Sequence, residues 1–559
     1  MKYVSVFVHQ KTQSGRSYDY IVPPELSLVE NQLVKVPFGN KKVLGLIAKV
    51  KPSSRLAKKK ILRSLSKGPI ITARQRDLAL ELSKRYRADL GDILTSFLPL
   101  LNKKDFLKLG ANIGISSRKA TPEKILLIAE RESRLTYYLQ KISRLSQNLI
   151  LLPTIYQIEN LKLKIKNLQP ELPVAIWHSG LTSREKAEIW QKLLEGDNPL
   201  VIGTRQALFL PLTNIGTIII DDPLNFAYQE DQSPYYNAYP VARMLSEITK
   251  SDLIVGEDTP DVISYSALLT RKLKLVEIKS SLKISIGRVW AKATQNNDFY
   301  LKISAAIQSG AKIAVIGPWR DQIRLVCRDC KQETICSKCQ NGHFGENSHT
   351  CVACGTSASV ICAGCQSTKL DSVGFSYKNI TEQIKKFWPK LSGYAPITVL
   401  SPNELGHLQP TVDYFVFPFF DFMINSPRLG ARQGLFRLIR ELSAFSPKEI
   451  FLFGENLNES EFVNRIVLND WRAFLQGELH ERKKLDLPPF TQAVLAVSRA
   501  KNKSLAQKHL AKFSAQLPES IPIFPTKSSI LFLVNHNFDF SHLNLPSSIH
   551  LEIDQSDLV

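Results

Sequence analysis

The eight cysteines are the residues whose type and spacing indicate chemistry most clearly. They form four C-x-x-C pairs separated by 5, 11 and 7 residues, and all of them lie between positions 327 and 365. One such pair lets two thiolates reach one ion, and two pairs complete a tetrahedral Cys₄ site. In a long chain of the kind found in the cytoplasm, clustered thiols indicate metal binding more than disulfides. The sequence therefore predicts two structural zinc ions.

The gap lengths bear on which pairs share an ion. The gap of 11 residues lets the second and third pairs close comfortably as one ribbon, whereas the gaps of 5 and 7 are tight. This spacing favours a nested arrangement without requiring it. The inner zinc ligands would be Cys336, Cys339, Cys351 and Cys354, and the outer ligands Cys327, Cys330, Cys362 and Cys365.

A second candidate site is the apolar run that ends on Asp221 and Asp222. Nucleoside triphosphatases present acid to Mg²⁺ in this way, at the carboxyl end of a strand. Here Pro223 and Leu224 follow the two carboxylates. We expect at most a degenerate Mg²⁺ site, in which Asp221 alone could still bind the ion weakly.

The phosphate-binding loop that should accompany such a site is missing. Glycines are needed so that backbone N–H groups can wrap a triphosphate, and a lysine must follow them. No glycine occurs between Ile115 and Ser179, and the pattern G-x-x-x-x-G-K is absent from the whole chain. Glu130 and Glu132 would repel a triphosphate, and Arg131 or Arg134 offers only a lone cation. We therefore expect neither ATP nor Mg²⁺ as a cofactor.

The elements that must position these residues separate along the chain. Residues 1–50 alternate apolar and polar positions between turn residues, which predicts a small β-domain. From residue 124 to about 286, six short apolar strands alternate with amphipathic segments, as in βαβ units on a parallel sheet, at 125–129, 149–152, 174–177, 200–203, 217–221 and 253–255. A second such region begins near residue 311, is interrupted by the cysteines, and resumes at 394–418.

Charge is concentrated at the start of the chain. Residues 1–104 hold 21 lysines and arginines against 7 acidic residues, so this segment supplies +14 of the total +22. A concentrated basic domain is typical of a partner that carries phosphates. Nucleic acid is therefore the favoured partner. No apolar run reaches the ~18–20 residues that a membrane span requires, so we expect a cytoplasmic protein without a membrane partner.

Several stretches resemble the family of replication restart helicases called PriA, or primosomal protein N′. They are SYDYIVPPEL (17–26), VKVPFGNKKVLGLI (34–47), the segment 177–222, the cysteine block and ELHERKKLDLPPF (478–490). The resemblance implies an α/β multidomain protein with a β-rich domain that recognises a DNA 3′ end. After this domain, the resemblance implies two RecA-like helicase lobes with parallel sheets, a double zinc-ribbon insertion in the second lobe and a C-terminal α+β domain. The family also nests its zinc ligands as described above.

On this basis we divide the chain as follows: the 3′-end domain 1–101, a linker 102–120, lobe 1 121–286, lobe 2 287–326 and 367–465, the zinc insertion 327–366 and the C-terminal domain 466–559. The linker leaves no room for the winged-helix module that the family carries at this place.

By resemblance, four positions form the pocket for the 3′-terminal nucleotide: Tyr18, Asp19, Gly39 and Lys59. An aromatic ring can stack a base, a carboxylate can accept from a 3′-hydroxyl, and glycine permits close approach. The basic run Lys58–Lys60 is expected to contact phosphate. The aromatic segment 226–239 follows Asp222, and stacking on bases and packing against the lobe both remain open for it.

The departures from the family concern its motor. Besides the phosphate-binding loop, the Glu-His after the two aspartates is replaced by Pro223-Leu224, the arginine motif reads LSAFS at 442–446, and Gly-Thr-Gln reads SPN at 401–403. Four parts of the phosphoryl-transfer machinery are thus absent.

The sequence therefore predicts a factor for replication restart that binds branched DNA with a 3′ end, without ATPase or helicase activity. Two zinc ions would be its cofactors, and other primosome or replication proteins would be its further partners. Two alternatives remain. The chain could be an active ATP-dependent 3′–5′ helicase of the primosome, or a general zinc-ribbon protein that binds nucleic acids.

Overall fold

The computed structural model describes most of the chain, with gaps. The described residues are 2–8, 17–99, 103–106, 109–110, 121–197, 200–278, 282–287, 298–317, 322–337, 351, 357, 361–375, 397–402, 405, 411–425, 430–454, 456–500, 502–525, 529–543, 545 and 548–553. They form two compact units, the first built mainly from residues 1–257 and 267–278 and the second mainly from 258–266 and 279–550.

The first unit begins with a six-stranded sheet, because alternating apolar residues give one buried face. Its order is β5-β2-β1-β4-β3-β6, with valines such as Val4, Val6 and Val34 in the core. Three helices follow, and the first has a capping box between Thr72 and Gln75. The elements are β1 Lys2–Val8, β2 Tyr18–Val22, β3 Gln32–Phe38, β4 Lys41–Lys51, β5 Lys59–Lys60, β6 Arg63–Pro69, α1 Ala73–Tyr86, α2 Leu90–Phe97 and α3 Lys103–Phe106.

This N-terminal region packs directly on the parallel sheet that follows it. The indole N–H of Trp190 donates to the carbonyl of Ile70 at 2.9 Å, and the amide of Gln75 donates to the carbonyl of Phe209 at 2.7 Å. The rings of Phe97 and Phe209 stack with centroids 4.3 Å apart. Most of the predicted linker, residues 111–120 included, lies outside the described residues.

The second sheet of this unit has seven strands in the order β13-β7-β12-β11-β8-β10-β9, and all of its neighbouring strands are parallel. The six strands predicted here are confirmed, and β13 is added. Its elements are β7 Lys124–Ile128, α4 Arg131–Lys141, β8 Gln147–Leu151, α5 Ile155–Leu168, β9 Val174–Trp177, α6 Ser183–Leu194, β10 Leu200–Gly203, β11 Ile215–Asp221, α7 Ala238–Thr249, β12 Asp252–Glu257 and β13 Lys274–Glu277. Helix α8, Val262–Leu269, precedes β13 in the chain, and its first five residues belong to the second unit.

The second unit contains another parallel sheet, in the order β14-β20-β19-β15-β18. Residues 284–286 were expected in the first lobe, but β14 pairs with β20, so they belong to this second sheet. Its elements are β14 Ile284–Gly287, α9 Asp298–Gln308, β15 Ile313–Ile316, β16 Gln322–Cys327, β17 Leu370–Phe375, β18 Ile397–Leu400, β19 Tyr414–Phe417, α10 Phe420–Ile424, α11 Ala431–Glu441, β20 Glu449–Phe453, α12 Glu461–Leu468 and α13 Trp471–Lys484.

A four-stranded sheet with one helix completes the second unit, in agreement with the predicted α+β domain. The strand order is β22-β23-β21-β24, from the elements β21 Gln492–Ser498, α14 Lys503–Ser514, β22 Ile523–Pro525, β23 Ser529–Val534 and β24 Ile549–Ile553. Among the described residues, none of the helices has both the length and the apolar character needed to cross a bilayer.

Candidate metal centre, DNA-binding surface and nucleotide site

The outer cysteine quartet converges on one point. Strands β16 and β17 form an antiparallel pair that brings the two ends of the cysteine block together. The four Sγ atoms of Cys327, Cys330, Cys362 and Cys365 all lie within 4.8 Å of one another, and two of the separations are 3.5 Å. Tetrahedral zinc with Zn–S bonds of 2.3 Å would place its sulfurs about 3.8 Å apart. The arrangement therefore fits such an ion.

The two outer C-x-x-C pairs fold alike. In each pair, the residue directly after the second cysteine has a left-handed backbone: Lys331 has φ 62°, and Gln366 has φ 60°. Their N–H groups donate to the carbonyls of Cys327 and Cys362, both at 3.0 Å. Backbone N–H groups near the Cys327 sulfur lower the pKa of this thiol to about 6, which favours the thiolate that a metal requires.

For the inner quartet the structure describes only two of the predicted ligands. Cys336 and Cys351 are buried and share one small apolar cluster with Leu325, although 14 residues separate them in the chain. Cys339 and Cys354 lie outside the described residues. The described half of this quartet is therefore consistent with the nested arrangement.

The predicted DNA pocket is only partly assembled. Lys59 Nζ donates to the carbonyl of Gly39 at 3.2 Å, and Gly39 has a left-handed φ of 55° at the turn between β3 and β4. Beside it, the rings of Tyr18 and Phe38 meet edge to face with centroids 4.8 Å apart. Lys58, Lys59 and Lys60 are all exposed. Three of the four expected pocket positions thus lie close to one another.

Asp19 departs from the expected arrangement. Tyr18 pairs with Val6, which is in the core, whereas Asp19 pairs with Ser5, so alternation along β2 places Tyr18 and Asp19 on opposite faces of the sheet. The carboxylate of Asp19 accepts from Ser5 Oγ at 2.6 Å, from Ser54 Oγ at 2.5 Å and from Lys51 Nζ at 2.9 Å. Its side chain is only 8% exposed. The carboxylate is therefore already engaged and cannot also receive a 3′-hydroxyl without rearrangement.

These contacts determine the charge state of Asp19. Burial opposes ionisation, but the hydrogen bonds from Ser5, Ser54 and Lys51 outweigh it and hold the pKa of the carboxyl below its usual value. Sequence analysis did not identify Lys51 or Ser54. The only local signal for them is their place in the basic segment that follows β4.

The predicted Mg²⁺ ligand Asp221 is also engaged. Its side chain is 1% exposed and lies at the carboxyl end of β11. Arg134 Nε donates to Asp221 Oδ1 at 2.7 Å, and the hydroxyl of Tyr138 donates to the same oxygen at 2.7 Å. Arg134 also donates to the carbonyl of Ala129 at 2.7 Å, just after β7. In this structure the carboxylate of Asp221 is therefore already engaged by side chains of the protein, and its weak binding of Mg²⁺ stays a prediction.

The helix that supplies these partners occupies the position where a phosphate-binding loop would run. Only Ala129 and Glu130 separate β7 from α4, so the chain enters the helix with no loop that could wrap a phosphate. Burial raises the pKa of the Tyr138 hydroxyl well above its usual value, which keeps it a donor. Asp222 has φ 56° and accepts from the side chain of Asn225 at 2.8 Å. The sequence signal that we missed for these partners of Asp221 is the spacing of Arg134 and Tyr138, which lie four residues apart on one face of α4.

Most of the aromatic segment after Asp222 packs against the lobe. Tyr228, Tyr236 and Tyr239 are buried, and the hydroxyl of Tyr228 donates to the backbone carbonyl of Asp221 at 2.9 Å. Phe226 differs from these residues because it is 89% exposed. Of the two uses left open for this segment, packing holds for these three tyrosines, whereas Tyr235 is half-buried and Phe226 presents its ring to solvent.

Known proteins resemble this chain in one domain, over most of the sequence and in structure. A family model described as the 3′ DNA-binding domain (3′BD) of PriA matches residues 5–99. The chain is 26% identical to the replication restart protein PriA of Helicobacter pylori strain J99, over 86% of this chain and 84% of that protein. It is 22% identical to the PriA of Rickettsia conorii, over 96% of both chains. A structure of RecG bound to a three-way DNA junction is 14% identical with a TM-score of 0.38, covering 74% of this chain and 50% of that one.

Proposed function

We propose that the chain is a divergent member of the PriA family of replication restart proteins and that it binds branched DNA at the 3′ end of a strand without hydrolysing ATP. Its N-terminal domain would supply the DNA contact. The two parallel-sheet lobes would serve as a folded scaffold, and zinc would brace the insertion in the second lobe. Other proteins of replication restart would then assemble on this platform.

The DNA contact is supported by charge and by the geometry around Gly39. Tyr18 lies next to Phe38 at the end of β3, and Lys59 is hydrogen-bonded to the turn that follows it. The aromatic ring would stack on the terminal base, and the ammonium group would contact its phosphate. Since the carboxylate of Asp19 is turned to the other face of the sheet, we assign it a supporting role in this proposal.

The absence of a motor rests on one observation, the buried pair between Arg134 and Asp221. A Mg²⁺ ion could reach Asp221 only by displacing an arginine and a tyrosine hydroxyl, and the carboxylate is 1% exposed. Removing a partner from such a pair leaves a buried charge uncompensated, which costs about 3–5 kcal/mol. A hydrolase also needs a wrap of backbone N–H groups and an arginine for the transferring phosphoryl group. With none of these, neither nucleotide binding nor turnover is expected.

The experiment compares two forks that differ only in whether a free 3′ end lies at the branch. Fluorescence anisotropy should give tighter binding to the fork with the 3′ end, and Lys59→Glu should remove the preference. Steady-state ATPase and strand-unwinding assays on the same forks should show no turnover above background.

The alternatives make different predictions in this experiment. DNA-stimulated ATP hydrolysis by the wild-type protein, absent from an identically purified Asp221→Asn preparation, would identify an active helicase and refute the proposal. Equal binding of both forks and of blunt duplex would identify a general zinc-ribbon protein for nucleic acids. Lys84→Glu, the same substitution at an exposed lysine that is paired with Glu81 in the same domain, is the matched control for the change of charge.

A further inference from the structure

The segment between β4 and β5 combines strong positive charge with one exposed aliphatic side chain. Five of its ten residues, 51–60, are basic, and none is acidic. Leu56 lies in the middle of this segment and is 80% exposed, more than any other large apolar residue among the described part of the N-terminal domain. Arg55 precedes it, and Lys58–Lys60 follow. We call residues 51–60 the basic loop.

The basic loop is attached to the sheet through Asp19. Ser54 Oγ donates to Asp19 Oδ2 at 2.5 Å and in turn accepts from the backbone N–H of Leu56 at 3.2 Å. Lys51 Nζ holds the same carboxylate from the start of the loop, at 2.9 and 3.1 Å from its two oxygens. A continuous path of hydrogen bonds therefore runs from the sheet to the backbone of Leu56.

Exposure alone would not distinguish Leu56, because single exposed apolar residues are ordinary on protein surfaces. Leu145 provides the comparison. Both residues end a Ser-Arg-Leu triplet, and in both the leucine N–H donates to the serine Oγ at 3.2 Å. Leu145 is 91% exposed, but it lies outside the basic domain. Of these two leucines, only Leu56 lies in a segment of basic residues, which attracts a polyanion such as DNA.

We propose that Leu56 packs against the 3′-terminal base of the bound strand on the face opposite to the one on which Tyr18 would stack, and that Asp19 is the residue that positions Leu56 there. Apolar side chains of this size insert between or against bases in other protein–DNA contacts. Leu56 and Lys59 are three positions apart in the chain, so their Cα atoms lie within about 11 Å, or about three stacked bases. A base contact by Leu56 and a phosphate contact by Lys59 can thus occur on the same short stretch of strand.

This inference rests on the proposed DNA binding and makes it more specific. An apolar contact displaces no counterions, whereas each lysine–phosphate contact adds about 0.9 to the salt dependence of log K. Leu56→Ser should therefore weaken binding to the 3′-end fork about 3- to 10-fold without changing the salt slope. Arg55→Ala should weaken binding and lower the slope.

The test uses the full-length protein and forks with 2-aminopurine at the 3′-terminal position or at an interior one. Wild-type protein should change the fluorescence of the terminal probe, and Leu56→Ser should lose this change. Asp19→Asn should reduce it while leaving the salt slope unchanged. Leu145→Ser, which alters an equivalent triplet outside the basic domain, should behave as wild type. Because both leucines are exposed, neither substitution should affect folding.

The outcomes separate this inference from the proposed function. If wild-type protein prefers the 3′-end fork but Leu56→Ser keeps both its affinity and its terminal signal, Leu56 makes no base contact and the inference is overturned. Equal losses of affinity and of the terminal fluorescence change in Leu56→Ser and Leu145→Ser would also overturn the inference. If wild-type protein shows no preference for the 3′-end fork, the proposed function itself fails.

Discussion

Arg134 Nε lies 2.7 Å from Oδ1 of Asp221, and the two side chains are 2% and 1% exposed. The pair connects the first turn of α4 to the end of β11 and, through the carbonyl of Ala129, to the end of β7. A carboxylate placed where a motor would hold Mg²⁺ has thereby become part of the protein core. This relationship joins the fold of the first parallel sheet to the proposed loss of ATP hydrolysis.

Removing one member of this pair should destabilise the sheet around it. Arg134→Met leaves Asp221 buried without its cation, and we expect a loss of about 3–5 kcal/mol in the free energy of unfolding. The double variant Arg134→Met/Asp221→Asn keeps an acceptor for the Tyr138 hydroxyl but removes the charge, so it should recover part of the loss. Hydrogen exchange of peptides from β7 and β11 measures the loss of stability around the pair in each variant.

The control for this prediction is Arg184→Ala. Arg184 donates to Glu188 at 2.8 Å on the surface of α6, and its side chain is 82% exposed. No measurable change is expected there. If β7 and β11 were as well protected from hydrogen exchange in Arg134→Met as in Arg184→Ala, the pair between Arg134 and Asp221 would have no structural role.

The state of Asp19 predicts a pH dependence. Hydrogen bonds hold its folded pKa below the usual 3.8, so its contribution is fully present above that value and is lost as pH falls through the folded pKa. The difference in unfolding free energy between wild type and Asp19→Asn should therefore be constant from about pH 5 to 8 and shrink below about pH 4. Thermal or urea unfolding over this range measures it.

Glu25→Gln is the control in this series, since Glu25 is an exposed carboxylate of the same domain. It should leave the stability profile unchanged. A difference between wild type and Asp19→Asn that grew on acidification would contradict the assignment of these hydrogen bonds.

The cysteine geometry predicts two zinc ions per chain. Cys362→Ser should lose the outer ion, because three thiolates hold zinc less tightly than four, and Cys336→Ser should lose the inner one first. Chelation should increase hydrogen exchange in β16 and β17 while β7–β12 remain protected, because metal binding supplies local folding free energy. Elemental analysis of freshly reduced protein counts the ions.

Arg328→Ala is the matched variant for the metal content. Arg328 lies between two outer ligands but pairs with Asp371 at 2.6 Å. It should retain both ions. One ion in the wild-type protein would rule out the second quartet.

The lysines of β5 and its entrance should act through phosphate. Each single substitution of Lys58, Lys59 or Lys60 by alanine should weaken binding to all DNA forms and lower the salt slope by about 0.9. Titrations at several salt concentrations measure both quantities. An unchanged slope for all three variants would mean that these lysines do not contact the DNA backbone.

Local patterns in the sequence were sufficient for much of the architecture. Alternation in residues 1–50 predicted a small β-domain there, although β5 and β6 of its sheet lie beyond that segment. Short apolar runs predicted six strands of the parallel sheet, because strand burial repeats over a few residues. The C-x-x-C spacing predicted the outer quartet, whose sulfurs the structure brings within 4.8 Å of one another. A metal site is predictable in this way because the ion specifies the number, type and local spacing of its ligands.

Tertiary structure alone decided which side chains pair with the carboxylates of Asp221 and Asp19. Arg134 and Asp221 are 87 positions apart, and Lys51 and Asp19 are 32 apart. The pattern around Asp221 placed it at a strand end but could not show that an arginine from another element would cover it. The pairing of β1 with β2 likewise decided that Tyr18 and Asp19, adjacent in the chain, face opposite sides of the sheet. Side-chain partners depend on how distant elements pack and pair, and local sequence does not encode that directly.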